Sequence, residues 1–117
     1  MNPKEFKPQF IDDMTNKKWA AEVEIDTQKE ILMGQESTKD RILDWIKVSQ
    51  DSISELEKDP SREARDKRKI EEKKLEDLKK KLIDQQGEID KTNTAIEKWS
   101  RQAEILAIYL RVAEKHK

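Results

Sequence analysis

The feature that most constrains this chain is a pair of long heptad repeats on either side of one proline, Pro60. Counting back from Leu56 in steps of three and four residues gives fourteen positions, of which nine are apolar. Counting forward from Leu75 gives twelve positions, of which ten are apolar. A sustained repeat of 3.5 residues is typical of a helix that packs against another helix along its length. The sequence therefore predicts two long helices, each with one apolar seam. The seam positions are Ile11, Met14, Lys18, Ala21, Ile25, Gln28, Leu32, Gln35, Lys39, Ile42, Ile46, Ser49, Ile53 and Leu56, then Leu75, Leu78, Leu82, Gln85, Ile89, Thr92, Ile96, Trp99, Ala103, Leu106, Leu110 and Ala113.

The residues around Pro60 predict where the first helix stops and the second begins. Asp59 can cap a helix, Pro60 suits a first helical turn because its missing N–H needs no partner there, and Glu63 favours the helix dipole. Two long helices joined by so short a connection must run antiparallel and adjacent. The predicted fold class is therefore all-α: a long antiparallel helical hairpin, or coiled coil, that can assemble into a helical bundle.

This fold predicts one hairpin domain and the pairing of its two arms. Positions whose numbers add to 120 or 121 are expected at one level, such as Ile46 with Leu75 and Ile25 with Ile96. Polar seam residues in the middle, among them Gln35, predict a fixed register at some cost in stability. The predicted boundaries are an extended N-terminal segment over 1–9 and a helical-hairpin domain over 10–117, with one arm at 10–58, a turn at 59–61 and a second arm at 61–115.

The two glycines of the chain, Gly34 and Gly87, are expected at the same level of the hairpin. Each costs about 1 kcal/mol relative to alanine inside a helix, so this level is predicted to be a weak joint. An alternative is a true helix break near Gly34, because Ser37 and Asp40 have the spacing of a new helix cap. That break would give a three-helix arrangement, whereas the heptad phase continues through Gly34 and favours the hairpin.

Many apolar side chains lie off both seams, and two helices cannot bury them all. Phe6 and Phe10 of the N-terminal segment could cover some of them. Contiguous exposed apolar surface normally marks an interaction site, so we expect a protein partner or self-association into a homo-oligomer. The predicted function is that of a non-enzymatic helical interaction protein, namely an oligomerising adaptor, a scaffold or an inhibitor that docks on a protein. The predicted protein interface comprises Trp19, Val23, Leu43, Trp45, Val48, Ile105, Ile108, Tyr109 and Val112.

Charge is distributed unevenly along the chain although the formal net charge is only −1. Residues 1–57 carry an excess of five acidic groups, and residues 58–81 carry an excess of four basic groups. The alternative function is therefore an accessory nucleic-acid-binding protein with a basic hairpin tip, although no aromatic stacking platform accompanies the charge. The simpler interpretation is a solvated helix flank with local ion pairs. The predicted polyanion contacts are Arg62, Lys69, Lys73 and Lys80.

Other functional classes have little support in the sequence. The chain has no cysteine and one histidine, His116, so we expect no metal site, no cofactor and no catalytic residue. Its carboxylates are expected on exposed helical faces rather than in a cleft, which argues against enzyme activity and a small-molecule ligand. The longest apolar run, at 105–110, is too short to span a bilayer, and the N-terminus lacks a secretory signal. We therefore expect a soluble, cytoplasmic protein without membrane partners.

Overall fold

The computed structural model describes residues 3–115 and the side chains from Gln9 onward. Helix α1 is Pro3–Glu57 and helix α2 is Arg62–Lys115, and the described range contains no strand. The two helices form an antiparallel hairpin, so the predicted all-α fold is confirmed. His116 lies outside the described residues.

Two predictions about the first arm differ from the structure. Helix α1 is continuous through Gly34, and Ser37 and Asp40 lie inside it, so the three-helix arrangement is not supported. One glycine lowers the stability of a helix by about 1 kcal/mol. Packing of the α1 seam before and after Gly34 offsets this cost. The helix also begins at Pro3 and not near residue 10, so residues 3–9 are helical rather than extended. Proline at a first helical position is pre-organised for the helix and loses no hydrogen bond there.

The cap of α2 is Ser61, two residues later than predicted. The backbone N–H of Ala64 donates to the Ser61 hydroxyl at 3.1 Å, and the N–H of Arg65 donates to the Ser61 carbonyl at 3.1 Å. Asp59 instead accepts the backbone N–H of Ser61 through Oδ1 at 2.9 Å. Because the residue before a proline is disfavoured in helical conformation, Asp59 and Pro60 form the turn and the helix starts after them.

The predicted seams are confirmed, since all fourteen α1 positions and all twelve α2 positions are buried or half-buried. The α2 seam also extends back from Leu75 through Glu71 and Arg68 to Ala64, which is 4% exposed. The core is nevertheless thin. The buried residues in the described range, each at most 9% exposed, are Met14, Ala21, Ile46, Ser49, Ala64, Ile89, Thr92 and Leu106.

The hairpin divides into two compact units. The turn unit is Met33–Asp90, and the terminal unit holds the described residues up to Leu32 and from Lys91 onward. In the turn unit, the Gln85 side-chain amide donates through Nε2 to the backbone carbonyl of Gln35 at 3.0 Å. This bond joins α1 to α2 at the level that the predicted register requires.

Candidate protein-binding surfaces

The structure exposes all nine side chains of the predicted protein interface. Their exposed fractions run from 42% for Leu43 to 66% for Trp19. Exposed large apolar side chains in such numbers are unusual for a monomeric protein surface, where they occur singly. They fall on two surfaces, one on each unit of the hairpin.

The surface of the turn unit is an open groove between α1 and α2. Two adjoining cavities of about 580 Å³ and about 390 Å³ form this groove and share Val48 in their lining. Trp45 and Ile70 line it from opposite helices and are 62% and 58% exposed. Leu56 and Leu78 of the seams lie at its base. The structure therefore brings Trp45 and Val48 together in one groove, while Leu43 is not among the residues that line it.

The two edges of this groove carry different charges, and we call them the α1 rim and the α2 rim. The α1 rim contributes Asp51 and Glu55 and no cation among its lining residues. The α2 rim contributes Lys67, Glu71, Lys74, Asp77 and Lys81. Its three lysines recur every seven residues and therefore share one face of the helix.

Local ion pairs leave the lysines of the α2 rim largely exposed. Lys67 lies 3.5 Å from Glu63, and Lys74 lies 3.4 Å from Glu71, each pair within one helix. The lysine side chains are 64% and 62% exposed. Exposed pairs such as Lys67–Glu63 contribute little to stability, so the Lys67 ammonium group can form another pair at small cost. Glu71 is only 24% exposed, so its pair with Lys74 is partly buried.

The surface of the terminal unit consists of one apolar stripe on each helix. Trp19 and Val23 are four residues apart on α1 and share a face. The α2 stripe follows the helical spacing of three and four residues. Its members are Ile105, Ile108, Tyr109 and Val112, which are 47% to 56% exposed.

Among the described residues, five exposed apolar side chains lie outside the predicted protein interface, namely Phe10, Ile31, Met33, Ile70 and Ile83. Ile31 and Ile83 lie off both seams and are 44% and 72% exposed. Ile70 was not assigned because the α2 seam was counted only from Leu75, and extending the count backward leaves Ile70 off the seam. Met33 is 71% exposed beside Gly34. Phe10, expected to cover apolar neighbours, is itself 50% exposed. The side chain of Phe6 lies outside the described residues.

The four predicted polyanion contacts are exposed and share one face of α2. Their spacing of seven, four and seven residues brings Arg62, Lys69, Lys73 and Lys80 into one stripe. The same stripe contains Asp66 and Glu76, and Lys80 lies 3.9 Å from Glu76. Carboxylates therefore alternate with the cations and weaken the positive potential of this face.

A buried polar layer lies within the turn unit, at the level of Gln35 and Gln85. The Gln35 backbone carbonyl accepts the Gln85 amide, but the Gln35 side-chain oxygen Oε1 is buried without a hydrogen-bond partner among the described residues. An unpaired buried acceptor costs stability, because water satisfied it in the unfolded chain. The layer thus fixes register at an energetic cost, as a polar coiled-coil position does.

The described residues contain no cluster of three or more His, Asp or Glu side chains placed to hold a metal ion. No described helix has a stretch that is long and apolar enough to cross a membrane.

Comparison of the chain with protein-family models, with curated proteins and with solved structures gives no match.

Proposed function

We propose that this chain is a non-enzymatic helical interaction protein that acts through its exposed apolar surfaces. The observation that supports this most strongly is the exposure of its large apolar side chains. From Gln9 to Lys115, fourteen of them are more than 40% exposed, whereas six hydrophobic residues are buried. Oligomerisation, or docking on a protein partner as an adaptor, scaffold or inhibitor, would cover these side chains. A cytoplasmic location fits a chain without cysteine.

The test replaces apolar side chains on each surface with glutamate and measures molar mass by sedimentation equilibrium. The terminal-unit variant is Ile105→Glu with Ile108→Glu, and the turn-unit variant is Trp45→Glu with Val48→Glu. Buried charge in an interface is strongly unfavourable, so at least one variant is expected to lose an association that the unmodified chain forms.

Control variants place one glutamate on an exposed polar position of each helix. Gln50→Glu on α1 and Ser100→Glu on α2 should leave the mass unchanged, because neither position belongs to an apolar surface. Circular dichroism must show that every variant keeps its helix content. If neither double variant changes association, and the controls behave alike, the apolar surfaces do not carry the function.

A second candidate function is accessory nucleic-acid binding by the exposed cations of α2. The common face shared by Arg62, Lys69, Lys73 and Lys80 favours it, and the intervening Asp66 and Glu76 argue against tight binding. We expect weak, sequence-independent and strongly salt-dependent binding of DNA or RNA by single chains. Titration of labelled single- and double-stranded oligonucleotides at low and physiological salt measures this. Tight binding at physiological salt that is lost when the four cations become glutamate would instead favour this second function.

A further inference from the structure

We infer that the groove of the turn unit binds the same groove of a second copy of this chain, with α1 of each copy against α2 of the other. This inference rests on the proposed function and names the partner for one of its two surfaces. A twofold axis parallel to the helices produces this arrangement, in which every contact occurs twice. The product is a four-helix bundle, a common way to bury one apolar face of each of two hairpins.

The exposed side chains that line the groove supply the apolar contact that such a bundle needs. Trp45, Val48 and Ile70 are each more than half exposed and project from both helices. Tryptophan at the centre of an interface is the side chain that most often dominates binding energy. When two grooves face each other, these three side chains of one copy pack between those of the other. They would also cover Leu56 and Leu78 at the base of each groove and exclude water from them.

The charges of the rims favour a second copy over an unrelated helix. The α1 rim is acidic through Asp51 and Glu55, whereas the α2 rim has a small basic excess, with three lysines (Lys67, Lys74 and Lys81) against two carboxylates (Glu71 and Asp77). The twofold axis places each acidic α1 rim against the α2 rim of the other copy, whose net charge is basic, so both pairs of rims attract. A foreign helix would need an acidic edge and a basic edge in the correct order to match the same groove. Self-complementarity of this kind is what an interface between identical subunits requires.

The test exchanges the charges of the rims. One variant, Asp51→Lys with Glu55→Lys, makes the α1 rim basic. The other, Lys67→Glu with Lys74→Glu, makes the α2 rim acidic. In either variant alone, both pairs of facing rims carry like charges, and self-association measured by sedimentation equilibrium is expected to weaken roughly a hundredfold.

Mixing the two variants supplies the decisive comparison. In an equimolar mixture, the basic α1 rim of one variant faces the acidic α2 rim of the other, so heterodimers are expected within about tenfold of the original affinity. Capture of one purified variant by a tagged copy of the other detects them. A chain that carries all four substitutions restores opposite charges and should self-associate again, which also controls for the effect of each variant on its own helices.

Three results would overturn the inference. The first is an unmodified chain that stays a monomer of 13.9 kDa at about 500 µM, well above the dissociation constant of a specific dimer. The second is self-association that neither rim variant weakens, and the third is a mixture that fails to form heterodimers. If the rim variants have no effect but Ile105→Glu with Ile108→Glu dissociates the chain, this inference fails while the proposed function stands.

Discussion

Two side chains, Asp59 and Ser61, organise the turn between the helices. The Ser61 hydroxyl satisfies the N–H of Ala64, one of the donors that the first turn of α2 leaves without a helical partner. Ser61→Ala removes this acceptor, and we expect it to lower the free energy of unfolding by about 1 kcal/mol. Urea unfolding at a fixed protein concentration measures the change. Ser61→Asn keeps an acceptor and should remain within a few tenths of a kcal/mol of the original chain; equal loss in both variants would contradict the capping role.

The hydrogen bond from the Ser61 N–H to Asp59 also predicts a pH dependence. This bond, with smaller help from the Ser61 hydroxyl and Lys67, holds the pKa of Asp59 below its ordinary value of 3.8. The folded chain thus favours the carboxylate, so the stabilisation is present above about pH 4 and is lost as pH falls through the lower folded pKa. We expect Asp59→Asn to be less stable than the original chain near pH 6, with a smaller difference near pH 2.5. A difference that does not change with pH would show that ionised Asp59 adds nothing to folding.

At the scale of the helices, the glycines are predicted to weaken both arms without serving their packing. A Cβ atom at Gly34 or Gly87 would meet no heavy atom within 4 Å beyond the nearby backbone of its own helix. Gly34→Ala and Gly87→Ala are therefore expected to stabilise the hairpin by about 0.4–1 kcal/mol each. Thermal or urea unfolding measures the gain, and Gly34→Ser should gain less, because serine is a poorer helix former than alanine. Alanine variants that are less stable than the original chain would show that the helices do not accept a methyl group at this level.

The helices and their seams could be predicted because a 3.5-residue period persists over both arms. The capping residue of α2 could not be predicted, because Asp59 and Ser61 are both good capping residues. Only the conformation around Pro60 decides between them. The alternative with a helix break near Gly34 was wrong. It rested on the cap-like spacing of Ser37 and Asp40, whereas seam residues before and after this spacing pack and keep α1 helical. Ile70 was missed because the polar seam residues Arg68 and Glu71 hid the continuation of the α2 seam.

The register of the hairpin gives a prediction for the molecule as a whole. Ile46 and Leu75 are seam residues expected at one level of the turn unit, and the bond between Gln85 and Gln35 supports this register. A chain with Ile46→Cys and Leu75→Cys should therefore form a disulfide within one molecule under mild oxidation. Non-reducing electrophoresis and mass spectrometry detect it, and Ile46→Cys with Leu82→Cys, two helical turns away, serves as a control that should not close. Disulfides that form only between molecules would indicate exchanged arms.

Exposure of the interface residues could likewise be predicted from the sequence, because two seams leave no room for apolar side chains on other faces. The partner that covers those side chains could not be predicted, because the sequence of one chain does not identify what it binds. The pairing of rim charges became visible only when the fold placed α1 and α2 on opposite edges of one groove. Asp51 and Lys67 belong to the same groove although fifteen residues, including the turn, lie between them in the sequence.

The central claim is that association covers the exposed apolar side chains, and acrylamide quenching of Trp45 tests it most directly. A chain with Trp19→Phe and Trp99→Phe keeps Trp45, which is 62% exposed in the single hairpin, as its one fluorescent tryptophan. We predict that the quenching constant falls as protein concentration rises from about 1 to about 500 µM, the range in which a specific dimer forms. A quenching constant that stays high and unchanged across this range would contradict the claim for the turn-unit groove.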